Sequence, residues 1–177
     1  MIKEIKMSDK LVIIDMQNDF HPSDEVIKRV VEKIEKYKSN KCKIYMTMDT
    51  HSADSYDTFP ESKKYPIHCV MGTDGHALVD DVGKALALYR HDCTICYKNS
   101  FGSTELVNAL LRDCVPGDRI EICGVCADIC VISNALMIRS VLYKNEVFVD
   151  SEATEGTTVD AANAAFAVMR NCNIIVN

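Results

Sequence analysis

The chain has 177 residues, 47% of them hydrophobic and 26% charged, which fits one soluble globular domain, residues 1–177, with a sizeable core. A net charge of −6 gives nucleic-acid binding no electrostatic support, and no apolar run is long enough to span a bilayer. Lys3, Glu4 and Lys6 stand where a secretory leader needs its apolar stretch, and nine cysteines in so long and apolar a chain read as reduced, cytoplasmic thiols rather than a disulfide framework.

Lys10 to Asp15 is a short β-branched run that ends in an acid, the pattern of a buried parallel strand with Asp15 at its carboxyl end. A polar stretch and a loop at Phe20, His21 and Pro22 follow. Ser23 can cap a helix that carries Val26, Ile27, Val30, Val31, Ile34 and Tyr37 on one face, through about Lys38. Lys43 to Met48 is a second strand, leading into Asp49, Thr50 and His51. The polar loop from Ser52 to Gly75 is longer than compact domains usually tolerate without a functional reason. A helix occupies part of His76 to Tyr89, and Cys93 to Tyr97 is a third strand that ends at Lys98.

Thr104 opens a helix to about Arg112. Ile120 to Cys123 reads as a buried strand, broken at Gly124 by a tight turn. From Asp128 the apolar spacing becomes helical, with Ile129, Ile132, Leu136 and Tyr143 on one face. Glu146 to Val149 is a fifth strand, Thr158 caps an alanine-rich helix, and Asn173 to Val176 is a sixth strand. Strands alternating with helices predict an α/β fold with a mostly parallel sheet.

The chemistry gathers at the predicted strand ends. Cys130 falls in the first turn of a helix that follows a strand directly, where amide N–H groups and the helix dipole favour a thiolate and can form an oxyanion hole. The plain alternative is a buried structural cysteine. Asp15 and Lys98 end two other strands, and open α/β sheets bind ligands beyond the carboxyl ends of their strands. An amide-cleaving cysteine needs a proton carrier and a cation; Asp15 and Lys98 supply both, although singly they read as a strand-end cap and a surface lysine. Asp49 and His51, two apart on an extended segment, face one way and with Glu61 and His68 offer a mixed carboxylate and imidazole site for zinc, iron or manganese; the alternative is a solvated polar loop.

His21, His76 and His91 read as structural or surface residues. Cys93 and Cys96 are three apart on a strand, which points them to opposite faces and argues against chelation. Cys123 and Cys126 straddle a strand end and a turn, a poor frame for a redox or zinc pair. No Gly-x-Gly-x-x-Gly follows a strand, so dinucleotide binding has little support.

Val12-Ile-Ile-Asp15-Met-Gln-Asn-Asp-Phe20, Asp49-Thr-His51, Tyr65-Pro-Ile-His68-Cys-Val-Met-Gly-Thr73, Lys98 and Gly124-Val-Cys-Ala-Asp-Ile-Cys130-Val131 together resemble the isochorismatase-like cysteine hydrolases, and their metal-type residues resemble those of nicotinamidases. The resemblance runs nearly end to end and in order. It implies a three-layer α/β/α domain whose six strands lie in the order 3-2-1-4-5-6, with Asp15, Lys98 and Cys130 catalytic. It implies one divalent metal ion, zinc first, with iron or manganese as the other candidates, held by Asp49, His51, Glu61 and His68 and facing the ring nitrogen of nicotinamide. It places a cis peptide at Val125–Cys126, an oxyanion hole at the amides of Cys126 and Cys130, and a ring clamp at Phe20 and Tyr65. It also implies a small-molecule amide as substrate, neither nucleic acid nor membrane as partner, and a homo-oligomer. Other outcomes are a related hydrolase of another small amide or carbamoyl group, or a metal-binding scaffold without turnover. Two departures stand out: the segment from Lys98 to Phe101 is shorter than in many relatives, and Tyr65 stands where tryptophan is frequent.

Overall fold

A computed structural model describes residues 8–87, 89 and 92–177. Lys3, Glu4, Lys6 and His91 lie outside the described residues. Six strands form one sheet: β1 (Lys10–Ile14), β2 (Lys43–Asp49), β3 (Cys93–Lys98), β4 (Arg119–Val125), β5 (Glu146–Glu155) and β6 (Ile175–Val176). Their order is β3-β2-β1-β4-β5-β6, and every ladder is parallel. Five helices connect them: α1 (Asp24–Ser39), α2 (Asp80–Ala87), α3 (Thr104–Asp113), α4 (Ile132–Val141) and α5 (Val159–Asn171).

The two-residue period of the strands divides the core in two. Val12 and Ile14 of β1, with Ile120 and Ile122 of β4, face one cluster covered by α3, α4 and α5. Leu11 and Ile13, with Cys123 and Val125, face the other, covered by α1 and α2. The α1 stripe of Val26, Val30, Ile34 and Tyr37 is buried there, and Ser23 caps the helix by accepting from the Val26 amide. Each fully buried Ile or Leu of β1 contributes roughly 1.5–3 kcal/mol, so the strand's position is fixed chiefly by burial. Among the described residues, no helix is long and apolar enough to cross a membrane.

Several element boundaries differ from the sequence expectation. β4 does not stop at Gly124: it runs on to Val125 with Gly124 at φ +115°, where a Cβ would stand 2.1 Å from the Ile14 carbonyl oxygen. Only glycine permits that approach. β5 extends to Glu155, well beyond Val149, because Ala153 and Thr154 are buried and Thr154 pairs with Gly124 past a register shift. The segment after β4 opens as a π-helical turn, Ala127–Val131, before α4 begins, and α4 ends at Val141. α2 is shorter than the span from His76 to Tyr89, and Leu88 lies outside the described residues. The long loop contains two 3-10 turns, Tyr56–Thr58 and Pro60–Lys63. Cys93 and Cys96 do face opposite sides of the sheet.

Candidate active site

Register brings the reactive residues to one end of the sheet. Ile14 pairs with Thr47 and with Gly124, and Asp49 pairs with Lys98, so β1, β2, β3 and β4 end close together. Asp15 leaves β1 with φ +48°, a conformation that aspartate tolerates better than most residues. Its Oδ1 accepts a 2.6 Å hydrogen bond from the Thr47 hydroxyl. Its Oδ2 lies 2.7 Å from Lys98 Nζ, which also lies 3.5 Å from Cys130 Sγ. Asp15, Lys98 and Cys130 are all buried.

The electrostatics of this trio differ from the sequence expectation. The helix terminus and Lys98 were expected to favour a thiolate at Cys130. Instead, burial first and then the Asp15 charge push the thiol well above 9.0, against the lowering effect of Lys98. The turn that carries Cys130 is π-helical and packed into the core, so desolvation outweighs the amide dipoles. Burial is also the largest influence on Asp15 and holds its carboxyl above the ordinary value despite Lys98. Burial alone would lower Lys98, but Asp15, Cys130 and Asp49 together raise it, so the amine stays charged. The structure thus sets a buried thiol and a buried carboxyl group against one ammonium, with Asp15 more basic than an ordinary carboxyl group.

A second cluster adjoins the first. Asp49 Oδ2 lies 3.3 Å from His51 Nε2 and 3.0 Å from His68 Nε2, and Glu61 Oε1 lies 3.6 Å from His68 Nε2. One donor atom from each of these four residues falls within 4.8 Å of the others. Two imidazoles and two carboxylates, converging and mostly shielded, are a donor set able to hold a divalent ion of the zinc, iron or manganese type. The residues present fit such an ion. Burial would raise Asp49, but the His68 hydrogen bond, Lys98 and His51 bring it below the ordinary carboxylate value. Burial, followed by the Asp49 charge, raises Glu61.

Backbone contacts hold these ligands. The His51 amide donates to Cys69 O, and Met71 N donates to His51 O. Gln17 accepts from the Asp49 amide through Oε1 at 2.7 Å and donates through Nε2 to Asp49 O at 2.9 Å. The Tyr56 hydroxyl donates to the carbonyls of Tyr65 and Pro66, and its ring meets His51 edge-on at 4.8 Å.

A pocket of about 210 Å³ opens over both clusters. Cys130, Cys126 and Ile129 line one side; Glu61 and His68 line another; Phe20, Tyr65 and Phe101 supply rings. Tyr65 and Phe101 meet edge-to-face at 6.1 Å, and Phe20 lies 5.5 Å from the His68 ring. The Val125–Cys126 peptide is cis, as the family resemblance implies. The side chain of Val125 is buried and does not line the pocket.

All the other candidates from the sequence thus lie at one site. Sequence reasoning missed Phe101, Ile129 and Thr157 in the pocket wall. Phe101 follows the Lys98 strand end closely enough to have been suspected, whereas Thr157 was hidden by ending β5 too early. His76 is half-buried behind the site, its Nε2 2.9 Å from the Thr50 hydroxyl, and His21 is exposed.

Residues 10–177 match the isochorismatase domain family. The chain is 30% identical to an uncharacterised isochorismatase family protein, PncA, of Bacillus subtilis (strain 168), over 73% of this chain and 78% of that protein. Its structure is similar to the pyrazinamidase of Pyrococcus horikoshii in complex with zinc, at 27% identity and a TM-score of 0.79, covering 96% of this chain and 98% of that one. The pyrazinamidase/nicotinamidase of Streptococcus mutans UA159 shares the fold at 21% identity and a TM-score of 0.84, covering 96% and 100%. Motif order, sheet topology and the family match agree: the chain belongs to the isochorismatase family.

Proposed function

We propose that the protein is a metal-dependent amidohydrolase that converts nicotinamide to nicotinate and ammonia through a thioester on Cys130. The observation that carries this reading is the meeting of the Asp15, Lys98 and Cys130 cluster with the Asp49, His51, Glu61 and His68 cluster at one small aromatic pocket. At about 210 Å³ the pocket is smaller than drug-sized sites and suits one aromatic ring with its carboxamide. The similar pyrazinamidase of Pyrococcus horikoshii, whose structure is a complex with zinc, supports both the substrate class and zinc as the ion.

In this reading Asp15 takes the proton from Cys130, and the thiolate formed attacks the carboxamide carbon. The amides of Cys126 and Cys130 donate to the resulting oxyanion. Asp15 returns the proton to the nitrogen, the C–N bond breaks, ammonia leaves and a thioester remains. Water then attacks the thioester with Asp15 again accepting a proton, which passes to the sulfur as nicotinate is released. Lys98 stays charged throughout and balances whichever of Asp15 and Cys130 is anionic. Phe20, Tyr65 and Phe101 orient the ring. Asp49, His51, Glu61 and His68 would hold a divalent ion, which would supply Lewis-acid chemistry toward the ring nitrogen.

A related small amide is the second reading. A groove lined by Phe59, Lys64 and Asn99 shares Glu61, Tyr65 and Phe101 with the pocket, which leaves room for a substituted ring. Ammonia release from nicotinamide, pyrazinamide and a set of aliphatic and carbamoyl compounds tests both. Turnover of nicotinamide that disappears in Cys130→Ala and falls by about 10²–10⁴-fold in Asp15→Asn is expected. Unchanged turnover in Cys130→Ala would overturn the mechanism.

A further inference from the structure

The mechanism leaves unused one fully buried polar side chain that touches the Cys130 backbone. Asn134 of α4 has no exposed surface. Its Nδ2 donates to the carbonyl of Cys130 at 2.8 Å and to the carbonyl of Phe101 at 3.1 Å. Its Oδ1 accepts from the amide of Ser103 at 2.9 Å. Both amide hydrogens and the oxygen are thus engaged, so the side chain has one satisfied orientation.

The three partners lie on two separate parts of the site. Phe101 and Ser103 belong to the short segment after β3, three and five residues beyond Lys98. Ser103 caps α3 by accepting from the Leu106 amide, so the segment is anchored at its far end as well. Cys130 belongs to the π-helical turn, whose Val131 amide reaches back to Cys126 O. A π turn displaces amides from their usual i→i+4 partners. Side chains of the next turn reach back to it: Ser133 Oγ donates to Ile129 O at 2.6 Å, as Asn134 does to Cys130 O. The segment after β3 also approaches α4, the helix that carries Asn134, closely: a Cβ at Gly102 would lie 2.5 Å from Met137 Sδ.

We propose that Asn134 is the positioning residue that sets the distance between Cys130 Sγ and Lys98 Nζ and holds Phe101 against the pocket. It ties the backbone of the cysteine turn to the segment that leaves Lys98. A buried amide with every group satisfied is stiff, because any shift leaves a polar group unpaired in the core. This proposal rests on Cys130 being the nucleophile.

Asn134→Leu removes all three hydrogen bonds while keeping the same branching of the side chain. Asn134→Thr keeps a hydroxyl that can bond the Cys130 carbonyl and gives up the ties to Phe101 and Ser103. Both are compared with wild type by kcat and KM for nicotinamide, by the pH profile of Cys130 alkylation with iodoacetamide, read by mass mapping, and by melting temperature. In folded variants kcat falls about ten- to a hundredfold with a smaller change in KM, and the alkylation profile shifts along the pH axis. A folded variant with wild-type kcat and alkylation profile overturns the proposal. Two variants that both fail to fold assign Asn134 to stability alone and overturn it as well. Failure of the nucleophile reading is visible separately, as wild-type Cys130 that resists alkylation or as Cys130→Ala that keeps turnover.

Discussion

Lys98 Nζ lies 3.4 Å from Asp49 Oδ1, so a single ammonium bridges the cysteine cluster and the metal-type cluster. Asp49 turns its other oxygen to His51 and His68. The two halves of the site share charge as well as space.

Removing that ammonium should damage both halves at once. Lys98→Met leaves Asp15 and Asp49 buried without their common cation. Loss of one partner from a buried ion pair typically costs about 3–5 kcal/mol. The expected outcome is a large drop in the midpoint of urea unfolding together with loss of amide turnover. A Lys98→Met protein as stable as wild type would mean that the two carboxyl groups are neutral at rest.

The resemblance quoted from the sequence implied the strand order and the close approach of Asp15, Asp49, His51, Glu61, His68, Lys98 and Cys130. The strand ends were legible because β-branched runs stop at polar residues, and the parallel topology followed from the alternation of strands and helices. The upward push of burial on the Cys130 thiol was not legible. It depends on how deeply the turn packs, and no sequence spacing reports desolvation. Glu121 was read only as part of an apolar strand, since two of its partners, Lys33 and Tyr37, lie on α1, more than eighty residues earlier in the chain.

Glu121 makes a pH-dependent contribution to stability. It is buried in the middle of β4, with Lys33 Nζ and Tyr37 OH each 2.6 Å away and Arg119 Nη2 at 2.8 Å. Burial would raise its carboxyl, but Lys33, Tyr37 and Arg119 together hold it below the ordinary 4.5. A folded-state value below the unfolded one stabilises the protein fully above 4.5, and that stabilisation is lost as pH falls through the folded value. Glu121→Gln should therefore be less stable than wild type at neutral pH by a few kcal/mol, on the order of other broken buried pairs. The gap between the two urea midpoints should narrow as the pH is lowered below 4.5. A gap of constant size across that range would show that the charge of Glu121 contributes nothing.

The metal-type cluster can be tested without relying on turnover alone. A ligand that binds only the folded chain stabilises it, by about 2.7 kcal/mol at a hundredfold excess over its Kd. Zinc, iron(II) or manganese(II) added to metal-stripped protein should raise the melting temperature, and the ion giving the largest rise at equal free concentration is the preferred one. His51→Ala and His68→Ala each remove one imidazole from a four-residue donor set, so both should lose most of the shift and most of the bound metal measured by elemental analysis. Cys130 lies outside that set and should keep its reactivity toward iodoacetamide in both variants. Nicotinamide should then bind more weakly, with KM rising in proportion to the metal lost. A stripped protein that melts at the same temperature with and without each ion, and that turns over nicotinamide with an unchanged KM, would remove the metal from the reading and favour an amide held by the aromatic walls of the pocket alone.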